Sequence, residues 1–226
     1  MRSVTLWLLV LCCGMLPCRG WGWHDETHLA IAKSAGYAKW YNAAGPDMAK
    51  IKAGDVEHKN HYANNPPWTE ITARMVLDQA QHYNSRRDKK GHLYGAIVAA
   101  VREYRAAAKN TKYTEYHLAF CAHYVGDLSQ PLHNTAYNDY NKRHHSATDA
   151  VIEDEVLANL PLIERYPVLI RSETELAEAI ARVANLSMQL GYRLEREGRM
   201  LSRQEAYVQV GHSASLLRGI LDYVRR

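Results

Sequence analysis

Apolar residues recur at three- and four-residue spacing along nearly all of the chain beyond residue 23, and this constrains the fold most strongly. That period is typical of amphipathic α-helices, and no run of alternating β-branched residues indicates a strand. The segments with helical spacing are 25–43, 69–86, 92–109, 112–128, 145–164, 172–197 and 203–225. Proline- and glycine-containing loops separate them, with no internal repeat or domain linker. We therefore expect a single all-α domain, a multi-helix bundle.

Composition agrees with one folded domain. The chain has 226 residues, of which 47% are apolar and 23% charged, so it is long enough to bury a sizeable core. Low-complexity disorder is excluded, because Leu, Ile, Val and Tyr are spread throughout. Ser172 precedes an Ala/Leu-rich segment and Glu175 follows three residues later, a pattern that predicts a capped helix start.

The first 22 residues have the pattern of an export signal. Arg2 precedes a run of 13 apolar residues, which is shorter than the about 20 residues that a membrane span needs. Small residues then allow cleavage after Gly20 or after Gly22. We expect residues 1–22 to be a signal peptide, residues 23–226 to be the mature domain, and the exported protein to be periplasmic or secreted.

Loss of that segment changes the charge and the cysteine count. Without Arg2 and Arg19 the formal net charge falls from +4 to +2, and a non-specific nucleic-acid binder would usually be more basic. Of the four cysteines only Cys121 remains, and we expect it to be a buried, inert thiol. One cysteine forms no internal disulfide, so stability must come from the core or from metal.

Histidine and aspartate recur together at helical spacing. His123 and Asp127 are four residues apart on a predicted helix, so their side chains leave the same face. A proline ends that helix, and His133 follows closely enough to return to the same place. His145 and Asp149 repeat the spacing on another predicted helix. One such pair alone is usually a surface pair, but together these nitrogen and oxygen donors suit zinc.

The segment HYVGDLSQPLH, residues 123–133, resembles the zinc-dependent phospholipase C family and its relatives, the fungal single-strand-specific nucleases. Those proteins share a mostly helical fold, a site of three zinc ions and phosphodiester hydrolysis. The resemblance runs from Trp21 to Asp149 in the family order. That order is a mature N-terminal Trp, an early His, an Asp and a His in a loop, His-x3-Asp, x5-His and a final His-x3-acid. It implies three Zn2+ ions in this chain.

The resemblance also implies that the first mature residue binds zinc through its free amine and its carbonyl, so that processing builds the site. Trp23 lies five residues before His28, as in the nuclease branch, whereas Trp21 lies seven before it. Trp23 and His28 are therefore the preferred ligands, and Trp21 stays open. His24 competes with His28 but adjoins the terminal Trp, from which reaching the same ion is harder.

The loop over residues 54–62 is implied to supply the family's Asp and third His. Asp55 is the implied ligand and is also placed to orient or deprotonate the attacking water. Both His58 and His61 are candidates for the histidine. His61 is preferred, because His-Tyr before an Asn- and Pro-rich loop is similar to the nuclease arrangement.

The resemblance distributes the ligands over three ions. The first zinc takes Asp55, His61, His123 and Asp127, the second takes His133, His145 and Asp149, and the third takes Trp23 and His28 with Asp127 bridging. His145 is preferred to His144, because four residues after His144 lies Thr148, a poor zinc ligand. The implied reaction is hydrolysis by water that zinc acidifies toward a pKa of ~7.

Two phosphodiesters compete as the substrate. The 12-residue interval from His133 to His145 is short, as in the phospholipases, and the lack of disulfides also favours that branch. Asp149 in place of Glu, and the Trp–His spacing, favour the nucleases. Neighbouring tyrosines would stack a base or cage a choline ammonium: Tyr62, Tyr124, Tyr137 and Tyr140.

We expect a phospholipase C-like hydrolase that acts on a phospholipid or another phosphodiester, with transient contact to a membrane surface. Single-stranded nucleic acid is the alternative substrate. An exported zinc-binding protein without catalysis is an alternative of another class. The sequence gives no sign of an obligate protein partner.

Overall fold

Helices account for the regular structure of the residues that the computed structural model describes, which are 23–53, 55–85, 87, 89–107 and 111–226. The α-helices are α1 (Asp25–Ser34), α2 (Gly45–Ala53), α3 (Asp55–His58), α4 (Ala73–Ala80), α5 (Leu93–Ala106), α6 (Lys112–Ser129), α7 (Asp139–Asp149), α8 (Glu173–Glu197) and α9 (Arg203–Val224). Short 3-10 helices span Trp40–Asn42, Lys59–His61, Pro131–Asn134, Val156–Ala158 and Leu160–Leu162. The predicted signal peptide, with Trp21 and both candidate cleavage sites, lies outside the described residues.

The all-α prediction is confirmed. Within the described ranges the β-structure amounts to one isolated bridge between Asn65 and Thr135, which joins two loops. A single hydrophobic core connects the helices, and its largest fully buried side chains include Trp23, Tyr94 and Tyr124. In the part of the chain that is described, no helix is long and apolar enough to cross a membrane.

Helix α6 lies at the centre of the fold and carries the HYVGDLSQPLH segment at its C-terminal end. It packs against α1, α5, α8 and α9, so its last turns are enclosed by other helices. Buried Cys121 lies on this helix, and burial raises the pKa of its thiol to about 12. The prediction of a buried thiol is thus confirmed. The thiolate that nucleophilic chemistry requires is disfavoured there.

The predicted helix over 145–164 differs from the observed one. Helix α7 begins earlier, where Asn138 caps it by accepting a hydrogen bond from the Asn141 amide at 3.0 Å. It ends at Asp149, and turns and two 3-10 helices follow. Pro161 lies in the second of these and lacks the amide that a continuous helix would need. His145 and Asp149 therefore lie on the last turns of α7.

The long C-terminal helices begin at serine caps. Ser172 Oγ accepts a hydrogen bond from the Glu175 amide at 3.1 Å, which confirms the predicted start of α8. Ser202 caps α9, with Glu205 completing a capping box. The Glu205 carboxylate also receives two hydrogen bonds from the Arg199 guanidinium, at 2.7 and 2.8 Å.

Glu205→Gln is expected to lower the free energy of unfolding by about 1 kcal/mol at pH 7, the upper end for a partly exposed pair. Hydrogen bonds from Arg199 lower the pKa of Glu205 from its ordinary value of 4.5 to about 2. A lowered folded-state pKa stabilises the protein fully above the unfolded value and progressively less as pH falls toward the folded value. The difference between variant and wild type should therefore shrink steadily below pH 4.5. Urea unfolding across this range measures it, with Glu197→Gln, which also removes an Arg199 partner, as the control.

Candidate metal centre

Histidine and aspartate side chains from six segments converge beside the C-terminal end of α6, and all of them except the partly exposed Asp47 are buried. They form three groups whose donor atoms lie within 4.8 Å of one another. These are the Asp47 group (Asp47, His61 and His123), the His28 group (His28, His123 and Asp127) and the His133 group (His133, His145 and Asp149). Each group has the nitrogen and oxygen donors that divalent transition metals take.

The Asp47 group, with one oxygen of Asp127, has the spacing of a tetrahedral site. Two ligand atoms bound to one zinc ion at its usual bond lengths lie about 3.3–3.4 Å apart. The observed distances are His61 Nδ1–Asp127 Oδ2 2.8 Å, His61 Nδ1–His123 Nε2 3.1 Å, His123 Nε2–Asp127 Oδ2 3.3 Å, His123 Nε2–Asp47 Oδ1 3.4 Å and His61 Nδ1–Asp47 Oδ1 3.9 Å. These four donor atoms would therefore need little movement to hold one ion.

Asp127 divides its two oxygens between neighbouring groups. Oδ2 faces His61 and His123, whereas Oδ1 lies 3.4 Å from His28 Nε2 and 3.6 Å from His133 Nδ1. Burial alone would raise the pKa of Asp127, but the imidazoles of His123 and His133 hold it well below its usual range. The carboxylate therefore stays ionised, and its geometry is that of a bridging ligand.

The His133 group combines residues from two elements. His145 and Asp149 share one face of α7, with 3.7 Å between Nε2 and Oδ2. The His133 ring stacks on the His145 ring at 5.0 Å between centroids. His133 comes from the Pro131–Asn134 3-10 helix, which follows α6 directly. The predicted return of His133 toward the α6 pair thus brings it between Asp127 and α7.

Gln130 holds the two halves of the His133 group together. Its amide nitrogen donates to Asp149 Oδ1, and its amide oxygen accepts from the backbone amides of Leu132 and His133. The neighbouring helix α8 fits closely here, because a Cβ at Gly191 would lie 2.8 Å from the Pro131 carbonyl oxygen. The SQPLH segment therefore forms a fixed turn, which holds His133 and Asp149 close enough to contact the same ion.

Two of the histidines have one ring nitrogen fixed by a neutral acceptor. His123 Nδ1 lies 2.8 Å from the Ala43 carbonyl oxygen, and His145 Nδ1 lies 2.7 Å from Asn141 Oδ1. Each Nδ1 therefore carries the proton and leaves Nε2 as the donor atom. Such outer hydrogen bonds are typical of metal-binding histidines.

His28 completes the centre from α1. Its ring is fully buried and stacks on His123 at 3.8 Å between centroids. Burial and the neighbouring His123 lower the pKa of His28, so the neutral ring is favoured. Neither ring nitrogen has a hydrogen-bond partner among the described residues. A metal ion beside Asp127 would satisfy this ring, and this observation supports the fit of a metal to the centre.

Trp23 begins the described chain beside the centre. Its indole is buried and donates from Nε1 to Ser129 Oγ at 3.2 Å. The next amide, that of His24, lies 3.5 Å from the Asp149 carbonyl oxygen. Glu153 accepts from the amides of Glu26 and Thr27 and so fixes the start of α1. The backbone of Trp23 and His24 is therefore held next to Asp149, whereas the His24 side chain belongs to none of the three groups.

Two pairs of histidines compete for a ligand role in the sequence. The structure places His61, not His58, and His145, not His144, in the three groups. His58 lies outside the three groups and packs edge-on against Tyr62. His144 is also outside them, with Nδ1 2.9 Å from Met200 Sδ. The Asp55 side chain lies outside the described part of the structure, so its predicted role as ligand and base stays a prediction.

Asp47 is the site residue that sequence reasoning missed. It lies in the first turn of α2, and α2 packs against α6. The Gly45-Pro46 pair before it indicates only a loop, and the His-x3-acid spacing that identified the other aspartates does not occur here. Pro46 is itself a helix-start signal, because proline is common in the first turn of a helix. That signal places the acidic Asp47 at the N-terminal end of α2.

A cavity of about 110 Å3 opens onto the centre. Its walls include the histidines His61, His133 and His145, and the rest is mostly aromatic or amide: His58, Tyr62, Asn64, Leu132, Tyr137 and Asn141. A ligand in this cavity would thus reach donors of both the Asp47 and the His133 groups. The protein-family models and the curated proteins compared with this chain give no match.

Proposed function

We propose that this protein is a zinc-dependent phosphodiester hydrolase of the phospholipase C type. One observation carries the proposal: three His/Asp groups lie side by side, two of them share His123, and one cavity is lined by His61 of the Asp47 group and by His133 and His145 of the His133 group. Grouped metal sites next to a substrate cavity serve phosphoryl chemistry more often than structure or storage. Structural zinc sites, by contrast, are closed by four protein ligands.

The residues fit zinc better than a hard cation. Five histidines supply nitrogen donors, and Mg2+ or Ca2+ would call for sites built mainly from oxygen. Asp47, His61, His123 and Asp127 would hold one ion. His133, His145 and Asp149 would hold a second, and His28 with Asp127 a third. The backbone of Trp23, as the predicted first mature residue, would complete the third. Bound zinc supplies Lewis acidity that polarises phosphoryl oxygens and lowers the pKa of water to ~7.

The protein's own residues would orient the reaction. We assign the loop-carboxylate role to Asp47 in preference to Asp55, because Asp47 Oδ1 lies 3.4 Å from His123 Nε2. The Asp47 side chain keeps 19% of its surface exposed, so one oxygen can accept a proton from the attacking water. Gln130 and Asn141 hold Asp149 and His145 rigid while charge builds up on the phosphorus oxygens.

The walls of the cavity suit an ester with a bulky apolar or cationic part. Tyr62, Leu132 and Tyr137 line it, and Tyr137 is 39% exposed at its edge. Aromatic faces bind a quaternary ammonium well, as in a choline head group. They also stack on nucleobases, which keeps a single-strand-specific nuclease as the second candidate. Export through the signal peptide remains part of the proposal and would give the protein access to extracellular or periplasmic phosphodiesters.

The proposal is tested with the processed chain, beginning at Trp23, loaded with zinc. Phosphorylcholine release is followed from mixed phosphatidylcholine micelles, and 5′-nucleotide release from single-stranded DNA. Metal content is measured in parallel. We expect about three zinc ions per chain and phosphorylcholine release that a chelator abolishes and added zinc restores. Because the ions bind the folded chain, chelation should also lower the melting temperature; a ligand at 100 times its Kd stabilises by about 2.7 kcal/mol.

The other outcomes separate the candidates. Nucleotide release with intact lipid would make this protein a nuclease. Zinc binding with neither activity would favour a zinc-binding protein without catalysis. A chain that takes up no zinc would overturn the proposal as a whole.

A further inference from the structure

Glu57 is a buried carboxylate directly behind the metal centre, and sequence reasoning gave it no role. It lies on α3, four residues before His61, and is 6% exposed. Its Oε1 accepts a hydrogen bond from the Tyr124 hydroxyl at 2.6 Å and faces His61 Nε2 at 3.3 Å. Its Oε2 accepts from Asn60 Nδ2 at 3.0 Å. Both oxygens are therefore held in place by buried neighbours.

We infer that Glu57 is the positioning residue of His61: it accepts a hydrogen bond from Nε2–H and so leaves Nδ1 as the nitrogen that binds metal. The inference rests on the proposed function, since it assumes that the Asp47 group holds zinc. It adds to that function a named residue that touches neither metal nor substrate.

The orientation of the ring carries this inference. His61 Nδ1 faces the other donors of the Asp47 group, 2.8 Å from Asp127 Oδ2 and 3.1 Å from His123 Nε2. The opposite nitrogen faces Glu57 Oε1. A carboxylate can only accept a hydrogen bond, so each contact to a carboxylate calls for the proton on its own nitrogen. With an ion between His61 Nδ1 and Asp127 Oδ2, both of these atoms are ligands, and the proton belongs on Nε2, where Glu57 accepts its hydrogen bond. The lone pair of Nδ1 then points at the position where one ion would contact all the donors.

Glu57 also makes His61 different from the other histidines of the centre. His123 and His145 present Nε2, because a carbonyl and an amide oxygen hold their Nδ1 protons. Those acceptors are neutral, whereas Glu57 is a carboxylate. An anionic acceptor makes the imidazole more basic and strengthens its bond to metal. The ion of the Asp47 group should therefore be the one most sensitive to a change at Glu57.

The surroundings of Glu57 explain how a carboxylate is kept ionised in the core. A buried charge needs charge-assisted hydrogen bonds to offset its desolvation. Glu57 has donors from α6 (Tyr124) and from its own segment (Asn60 and His61). Asn60 Nδ2 also contacts Asn84 Oδ1 at 3.0 Å, and Asn84 adopts φ +60°. Asparagine adopts the left-handed region more readily than most residues, so this conformation fits the contact with Asn60 at little cost.

The test compares Glu57→Gln and Glu57→Ala with Tyr124→Phe in the zinc-loaded, processed chain. Tyr124→Phe removes a donor to the same oxygen but leaves the carboxylate beside His61. Chelator competition gives the affinity of each ion, and long-range 1H–15N correlation of the histidine rings gives tautomers and metal-bound nitrogens. For Glu57→Ala we expect the zinc affinity of the Asp47 group to fall about 10–100-fold, as for other outer-shell residues. For Glu57→Gln, which keeps the volume and removes the charge, we expect a smaller loss.

The ring signals distinguish positioning from mere stability. In the wild type, His61 should show a protonated Nε2 and a metal-bound Nδ1, and Glu57→Ala should shift these signals. The His145 signals should stay unchanged, because Asn141 and not Glu57 holds that ring. Thermal melts check folding, and if Glu57→Ala does not fold, Glu57→Gln still carries the affinity and ring measurements.

Two results would overturn the inference: metal bound to His61 Nε2 in the wild type, or unchanged affinity and ring signals in the Glu57 variants. In either case zinc uptake and hydrolysis by the wild type would leave the proposed function intact. Wild-type protein that binds no zinc would instead refute the proposed function, and with it this inference.

Discussion

Asp127→Asn is expected to reduce phosphodiester hydrolysis by more than about 100-fold, because even outer-shell changes at metal sites reach that size. The reason is the division of its oxygens: Oδ2 lies within 3.3 Å of His61 and His123 donors, and Oδ1 lies 3.4 Å from His28 Nε2. An amide presents one oxygen and one NH2 group, so one side of the bridge loses its acceptor. The variant should therefore also carry at least one zinc ion fewer per chain.

Metal content after gel filtration, together with kcat/KM, measures both effects of Asp127→Asn. Asp222→Asn makes the same chemical change at an exposed aspartate that pairs with Arg218, and it should leave metal and activity unchanged. Full activity with a complete set of ions in Asp127→Asn would show that this carboxylate does not bridge.

Gly126→Ala is the second change with a large expected effect. A Cβ at this position would lie 2.4 Å from His28 Nδ1 and 2.7 Å from His28 Cε1. The His28 ring is fully buried between α6 and α1, so it has no open space to move into. We expect the free energy of unfolding to fall by about 1–3 kcal/mol, which is typical of overpacking. The ion that His28 would hold under the proposed function should be lost.

Two further variants show whether the clash with His28 is the cause. Gly45→Ala adds a methyl group where nothing lies within 4 Å, and it should be neutral. Combining Gly126→Ala with His28→Ala removes the clashing ring, so the stability lost through overpacking should return while the zinc ion stays absent. Urea unfolding and metal analysis report the two effects separately. If the double variant is no more stable than Gly126→Ala, the clash lies elsewhere.

The parts of the centre that sequence could predict are those encoded locally. His123 with Asp127, and His145 with Asp149, are one helical turn apart, so spacing alone places each pair on one face. His133 follows a proline just after the end of α6. The turn that Gln130 fixes brings the His133 side chain back toward Asp127, so this contact is encoded by a short stretch of sequence. The all-α class followed in the same way from the three- and four-residue period of the apolar side chains.

The parts that sequence did not predict depend on how separate elements pack. Asp47 reaches the centre only because α2 lies against α6, and no local spacing connects it to His61. Glu57 is four residues before His61, but such a pair is usually a surface ion pair. In this protein the Glu57–His61 pair is buried, because α6 places the Tyr124 hydroxyl against the Glu57 carboxylate. The earlier start of α7 is a different case, because it follows from a local cap at Asn138 that the apolar period does not register.

Asp127 lies between His28 and His61, so an ion bound there would connect distant parts of the chain. An ion bound by both Asp127 and His28 would cross-link residues about 100 positions apart. It would thereby close a loop that contains about half of the domain. The His133 group, by contrast, closes a loop of fewer than 20 residues. Loop-closure entropy rises slowly with length, so the long closure constrains the unfolded chain more. In a domain whose described cysteine is a single buried thiol, such ions would stabilise the fold in the way that disulfides stabilise many small domains.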